Sequence, residues 1–153
     1  MKKIVSVALA AGIVSLSGFG PAYAQDKKVE FSLNVGAMTI IGGEYSLSGF
    51  AFTVSPQLDI RVAKRFAISP EAMLITVFSG SALLAGVLLN YVGNGFFVGG
   101  GAVVWIVEGA SDLLPKLNIG YRGRHVKLTA YLITSPQALF ETNLVGASVG
   151  YRF

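Results

Sequence analysis

The chain has 153 residues, 53% of them hydrophobic and only 13% charged, with no cysteine and a single histidine. Because an average soluble domain is about 25% charged, this composition excludes a disordered chain, a disulfide scaffold, a zinc cluster built on cysteines and a cysteine-nucleophile enzyme. The formal net charge of +4 includes two lysines at the extreme N-terminus; without them ten basic residues face eight acidic ones, which gives no basis for nucleic-acid binding.

The first 24 residues are predicted to be a cleaved export signal. Lys2 and Lys3 form a basic start, residues 4–16 are uncharged and apolar, and the small-x-small sequence at 22–24 is a cleavage site. An uncleaved membrane anchor is the alternative, although the apolar segment is short for a spanning helix. The mature protein is then a single domain, residues 25–153, which leaves the cytoplasm.

The mature chain alternates apolar and polar residues with a period of two, which is typical of strands with one apolar face. Within 50–62, every even position is apolar and every odd position is small, polar or charged. Segments 29–36 and 145–153 alternate in the same way. The pattern predicts eight strands, at residues 28–40, 50–62, 66–78, 83–92, 96–107, 114–122, 126–133 and 143–153.

Compact turns and longer connections alternate along these strands. The turns lie at 63–65, 93–95 and 123–125, and the longer, Gly- and Ser-rich connections lie at 42–49, 79–82, 108–112 and 134–141. Tilted strands of about nine to eleven residues cross a bilayer, and short periplasmic turns with longer external loops are typical of outer-membrane barrels. The predicted fold is therefore all-β: an antiparallel, up-and-down, eight-stranded transmembrane β-barrel.

Aromatic residues gather near the predicted periplasmic ends of the strands. They are Phe31, Phe66, Tyr91, Phe97, Tyr121, Tyr151 and Phe153. A ring of aromatic side chains is expected where a barrel meets the lipid interface. The core of a soluble β-protein gives no reason for such sorting by strand end.

The chain ends in Tyr151-Arg152-Phe153, after a run of alternating apolar residues. This ending resembles the last strand of bacterial outer-membrane β-barrels, and with the export signal and eight strands the mature chain is similar to the small OmpA/OmpX-like barrel class. The resemblance implies an outer-membrane location and an assembly signal at Tyr151 and Phe153. It implies outer-membrane lipid and the export and barrel-assembly machineries as partners of a monomer, and it carries over no catalytic residue.

One stretch of the sequence is compatible with a different fold. Residues 72–107 contain no charge, as one or two transmembrane helices would. Glycines at 93, 95 and 99–101 argue against helices, since each costs a helix interior about 1 kcal/mol relative to alanine. An Asn-Gly pair between apolar runs, as at 94–95, is instead a hairpin signal.

Charged residues on the predicted inward faces fall in the periplasmic half of the lumen and nearly cancel. They are Glu30, Asp59, Arg61, Glu71, Arg122, Lys127 and Arg152. Because unpaired charges in a dry interior are costly and eight strands enclose little space, the sequence predicts an ionic plug rather than an open pore. A register centred on the first turn places Asp59 nearly opposite Glu71, with Arg61 within reach of both.

The external half of the predicted lumen is apolar. Its inward residues are Met38, Ala51, Met73, Ile75, Val77, Leu84, Leu88 and Ile133, with Tyr131 lower down. This set is compatible with a packed core, which we favour, or with a pocket for a lipid or small hydrophobic ligand.

The position of the single histidine bears on whether the protein is an enzyme. Lipid-modifying barrel enzymes use a histidine near the external end, in some cases with a serine two residues later, following triad logic. His125 is followed by Val126 and Lys127 and lies in a predicted periplasmic turn. We therefore expect no catalytic, cofactor or metal site, and a structural or envelope role; a ligand-binding barrel is the alternative, and a lipid-modifying enzyme is less favoured.

Overall fold

A computed structural model of the protein describes residues 29–41, 50–77, 80–107, 110–134 and 143–153; the predicted export signal lies outside them. These residues form eight antiparallel strands, and pairing of the first strand with the last closes a barrel in which neighbours in sequence are neighbours in space. The strands are β1 (Val29–Ile41), β2 (Ala51–Ala63), β3 (Phe66–Val77), β4 (Gly80–Gly93), β5 (Phe96–Val107), β6 (Ala110–Arg122), β7 (Val126–Thr134) and β8 (Asn143–Arg152). The predicted up-and-down, eight-stranded barrel is confirmed.

The uncharged stretch 72–107 consists of strands, so its interpretation as helices is wrong. Where the structure describes it, this stretch contributes half of β3 and all of β4 and β5. In the described part of the chain, no helix has the length and apolar character needed to cross a membrane.

Two strands begin earlier than the sequence predicted. β4 begins at Gly80 and β6 at Ala110, three and four residues before their expected starts. Trp105 of β5 pairs with Asp112 of β6, so the hydrogen-bonded ladder continues through residue types that favour turns. Two of the connections expected to be long therefore span only two residues each, 78–79 and 108–109.

One end of the barrel holds three tight turns, at 64–65, 94–95 and 123–125, and we call it the turn end. Asn94 and Gly95 have φ values of 45° and 84°, the left-handed conformations of a type I′ hairpin turn. The carboxyl terminus also lies here, because the Phe153 N–H donates to the Phe31 carbonyl at 3.1 Å.

The aromatic ring at the turn end differs from the prediction at one position. Phe97 was expected on the outer surface but is 4% exposed and points into the lumen. The two-residue turn pairs Gly93 with Phe96 and so places Phe96 on the outer face, which turns the next residue inward. Phe96, 64% exposed, takes the outer position and packs edge to face against Tyr121 with ring centroids 5.5 Å apart.

The outer surface of the barrel is apolar all the way round. No outward position of the eight described strands carries Asp, Glu, Lys or Arg. Examples at 41% exposure or more are Leu33, Phe52, Leu89, Leu117 and Val149. Soluble monomers rarely expose contiguous apolar patches larger than a few hundred Å², so this is the surface of a barrel that spans lipid.

Large inward side chains pack onto glycines of the neighbouring strand. A Cβ atom added to Gly146 would lie 2.4 Å from the Tyr131 ring, and one added to Gly120 would lie 2.5 Å from the Phe97 ring. Both distances are far below van der Waals contact, so each ring occupies the space that a side chain would need.

We expect Gly146→Ala to lower the free energy of unfolding by about 1–3 kcal/mol, because the added methyl group overpacks the lumen against Tyr131. Gly80→Ala is the matched control, since a Cβ atom there meets nothing within 4 Å. Urea unfolding of both variants in lipid vesicles makes the measurement. Wild-type stability of the Gly146 variant would show that Tyr131 does not pack on this backbone.

Candidate functional site in the barrel lumen

Asp59 is the centre of a buried hydrogen-bond network in the part of the lumen nearer the turn end. Lys127 Nζ lies 3.0 Å from its Oδ2 atom. Ser69 and Gln57 donate to its Oδ1 atom at 2.6 and 3.2 Å, and Asn90 donates to Ser69 at 2.7 Å. All five side chains are at most 5% exposed, so the carboxylate is neutralised by one ammonium group and satisfied by two uncharged donors.

The Lys127 ammonium also faces an aromatic ring. Its Nζ lies 5.1 Å from the Phe97 ring centroid, within the range of a cation–π interaction. The recess bordered by Asp59, Asn90, Phe97 and Lys127 has no room for a water-sized sphere. The inward turn of Phe97 therefore closes the space around the first ion pair.

A second buried ion pair lies farther along the strands from the turns. Lys116 Nζ contacts Glu71 Oε1, and the two side chains are 3% and 5% exposed. The same Nζ lies 4.7 Å from the centroid of the Tyr131 ring, whose hydroxyl is 3.4 Å from Thr53 Oγ1. A second acid and base thus neutralise each other inside the lumen.

Lys116 is a lumen residue that the sequence analysis missed. A start of β6 at 114 placed it beside an external connection, whereas β6 begins at Ala110 and Lys116 lies in the middle of the strand. Its parity was the available signal, because it alternates in step with Asn118 and Arg122, the polar positions of this strand.

Four of the predicted charges meet at the turn end. Arg122 and Arg152 both donate from Nη2 to Glu30 Oε2, and Arg61 Nη2 lies 3.9 Å from Glu30 Oε1. Arg152 also donates to the Gly123 carbonyl. One carboxylate therefore serves three guanidinium groups.

The predicted position of Asp59 opposite Glu71 is wrong. Glu71 pairs with Gln57, because the register of β2 and β3 shifts between Arg61 and Ala63. Such an irregularity adds a residue to one strand, and it brings Ser69 rather than Glu71 to Asp59. Arg61 forms its ion pair with Glu30, away from the two inner carboxylates.

Beyond the ion pairs, apolar side chains fill the lumen. The cluster consists of Met38, Met73, Ile75, Leu84, Val103, Tyr131 and Ile133, each at most 5% exposed. Ala51, Ala82, Trp105, Leu114 and Leu144 pack against it. Leu88 is also buried, and the side chain of Val77 lies outside the described structure. Val103 and Trp105 were not anticipated from the sequence.

Comparisons with known proteins find likeness in structure alone. No family model and no curated relative matches the chain. A de novo designed transmembrane β-barrel matches with a TM-score of 0.58 at 11% identity, covering 81% of this chain and 95% of the design. Ail, the attachment invasion locus protein of Yersinia pestis, matches with a TM-score of 0.52 at 11% identity, covering 82% of this chain and 97% of Ail. The fold is that of a small transmembrane β-barrel.

A further structural neighbour of this barrel is Neisserial surface protein A. It matches with a TM-score of 0.50 at 10% identity, covering 82% of this chain and 96% of that protein. Identities this low establish the fold and carry no information about activity.

Two side chains of this barrel, His125 and Ser69, are of types used in catalysis, but both are held in other contacts. His125 lies in the turn at 123–125 and stacks on Tyr151, with ring centroids 5.9 Å and planes 12° apart. Ser69 is fully buried and its hydroxyl is held between Asp59 and Asn90. Among the described residues, no group of three or more His, Cys, Asp or Glu could hold a metal ion. The Asp59–Lys127 pair is closed in by its neighbours, and the recess beside it has no open substrate position.

We expect Lys127→Met to destabilise the barrel by about 3 kcal/mol, because it leaves Asp59 charged in a dry site without its cation. Arg61→Ala is the control, since its side chain is 44% exposed and 3.9 Å from Glu30, and exposed pairs contribute about 0–1 kcal/mol. Adding Asp59→Asn to Lys127→Met should recover most of the loss. Urea unfolding in lipid vesicles measures all three, and equal losses for the two single variants would mean that the inner lumen is hydrated.

Proposed function

We propose that the protein is a monomeric integral barrel of the bacterial outer membrane, with a structural, envelope-maintaining role and no catalytic activity. The observation that carries this proposal is the filled lumen. Asp59–Lys127 and Glu71–Lys116 neutralise each other in the interior, and an apolar cluster packs beyond them. A neutral, occupied interior supports a closed wall element rather than a pore or an active site.

The outer-membrane location has three independent supports. The uncharged exterior requires lipid, the N-terminal sequence has the pattern of an export signal, and closed barrels are the β-structures that span membranes. Outer-membrane lipid would surround the barrel, and the export and barrel-assembly machineries would deliver it. Two structural neighbours are, by name, a bacterial attachment invasion locus protein and a bacterial surface protein.

The carboxyl terminus supports the proposed assembly signal. Phe153 is 74% exposed on the outer side of the turn end. Its ring lies 5.5 Å from Phe31 and 5.0 Å from Tyr151, measured between centroids. An aromatic side chain that is held in place but accessible suits a recognition element that is read before the barrel closes.

The alternative function is binding of a small hydrophobic molecule in the apolar half of the lumen. Met38, Leu84 and Ile133 are 1–3% exposed and pack against one another in one cluster, which favours a solid core. Native mass spectrometry of protein extracted from membranes separates the two functions, because a binding barrel retains a stoichiometric lipid or other apolar ligand and a structural barrel does not.

We expect refolded wild-type protein to give no steady channel current in planar bilayers, because charged and apolar side chains occupy the cross-section of a narrow barrel. A general porin in the same bilayers is the positive control for insertion and detection. Heat-modifiable migration on an SDS gel verifies that the sample is folded. A reproducible large conductance from such a sample would rule out the closed lumen.

We expect deletion of Phe153, or Phe153→Asp, to leave export and signal cleavage intact while the cleaved chain accumulates unassembled in the periplasm. Phe96→Asp is the matched control, since Phe96 is also an exposed aromatic at the turn end, 64% against 74% for Phe153. A charge on the lipid face near the interface costs only about 0–1 kcal/mol, so the control should assemble.

Cell fractionation with detection of the heat-modifiable band reads out both variants. If the chain without Phe153 reaches the outer membrane at wild-type levels, the carboxyl terminus is not an assembly signal. If both aspartate variants fail equally, the defect is a general effect of charge in the aromatic ring.

A further inference from the structure

The turn end of the barrel opens into a polar cavity of about 260 Å³. Four of its lining residues are cationic: Arg61, Lys64, Arg122 and Arg152. The tight turn at 93–95 also lines the cavity. A cavity of this size, with four cations around it, differs in kind from the closed recess beside Asp59.

The charge around this cavity is not balanced as it is deeper in the lumen. Each inner acid has its own lysine, whereas at the turn end the ion pairs of Arg61, Arg122 and Arg152 all converge on Glu30. In the described structure no ion pair joins Lys64 to an acid. The four cations of the wall face the single carboxylate of Glu30, so the cavity carries an excess of about three positive charges.

Unused donor capacity points in the same direction. A guanidinium group has five N–H donors. The side chain of Arg122 is only 5% exposed, yet its Nε atom, like that of Arg152, has no hydrogen-bond partner. Buried donors without partners are uncommon in folded proteins, so the arginines of this wall have capacity that the chain itself does not use.

We propose that this cavity binds a phosphate group. Arginine forks match the geometry of phosphate oxygens and bind them with charge-assisted hydrogen bonds. A phosphate dianion also offsets more of the positive excess than a carboxylate does. Inorganic phosphate, a soluble phosphate ester and the headgroup of an anionic phospholipid all present this chemistry. The proposal concerns the folded barrel alone and does not depend on its structural role.

The test is calorimetric titration of inorganic phosphate into the barrel folded in a non-ionic detergent. The double variant Arg61→Gln/Lys64→Gln removes the two exposed cations of the wall and spares the buried Arg122. Arg65→Gln/Arg124→Gln is the matched control, because it removes two exposed turn cations at the same end that are not among the lining residues. The two variants have the same net charge, and heat-modifiable migration shows that both are folded.

Binding to the wild type, an affinity lower by about tenfold or more in the lining variant, and a change of less than about threefold in the control support the proposal. Equal losses in the two variants overturn it, because they indicate a diffuse field around the turn end. Absence of phosphate binding to the wild type at low ionic strength also overturns it.

The source of the phosphate is assigned by two further probes in the same detergent. Glycerol 3-phosphate represents a soluble ester, and dihexanoyl phosphatidylglycerol below its micelle concentration represents a lipid headgroup. Tighter binding of the first assigns the cavity to soluble esters, and tighter binding of the second assigns it to membrane lipid. Either result supports the site only if the Arg61→Gln/Lys64→Gln variant binds that probe more weakly than the wild type does. If this variant binds both probes as well as the wild type, the cavity is not the site.

Discussion

The closed ladder of backbone hydrogen bonds is the constraint on which the rest of this structure depends. Once β1 pairs with β8, no strand edge remains, and every side chain of the sheet must face either the exterior or the lumen. The exterior of the described strands accepts no charge. Every charged residue within the strands is therefore confined to the lumen or its mouths, and the lumen is too narrow to hydrate each charge separately. The pairing of charges follows from closure.

Closure also explains why the ion pairs are accompanied by aromatic rings and glycines. A buried lysine and carboxylate need a tightly fitted site, because attraction offsets the loss of hydration only when geometry is good and the remaining donors are satisfied. Phe97 lies beside Lys127, and Tyr131 lies beside Lys116. Each ring has room only because a glycine faces it on the next strand. The glycines of β6 and β8 are thus part of the charge-pairing arrangement.

The sequence predicted the parts of this fold that depend on local pattern, and failed where a turn or an irregularity decided the outcome. Alternation placed all eight strands and the inward positions of Glu30, Asp59 and Glu71. It misplaced Phe97, because two adjacent phenylalanines satisfy either parity and the type I′ turn chooses between them. The partner of Asp59 depended on the register shift in β2, which no residue pattern announces. Lys116 was missed because serine and aspartate usually end strands, whereas here pairing with β5 continues through Ser111 and Asp112.

The charges at the turn end are not balanced as they are inside the lumen. Inside, one acid meets one base, because an excess charge in a dry site is costly. At the turn end water reaches the side chains, as the 44% exposure of Arg61 indicates, and the cost of an excess is lower. Selection for stability alone gives no reason to place three arginines on one carboxylate, since each additional cation repels the others. Hydration at this mouth therefore makes the excess positive charge tolerable, but it gives no reason for the excess. An anion bound from outside the chain would offset the repulsion among the arginines.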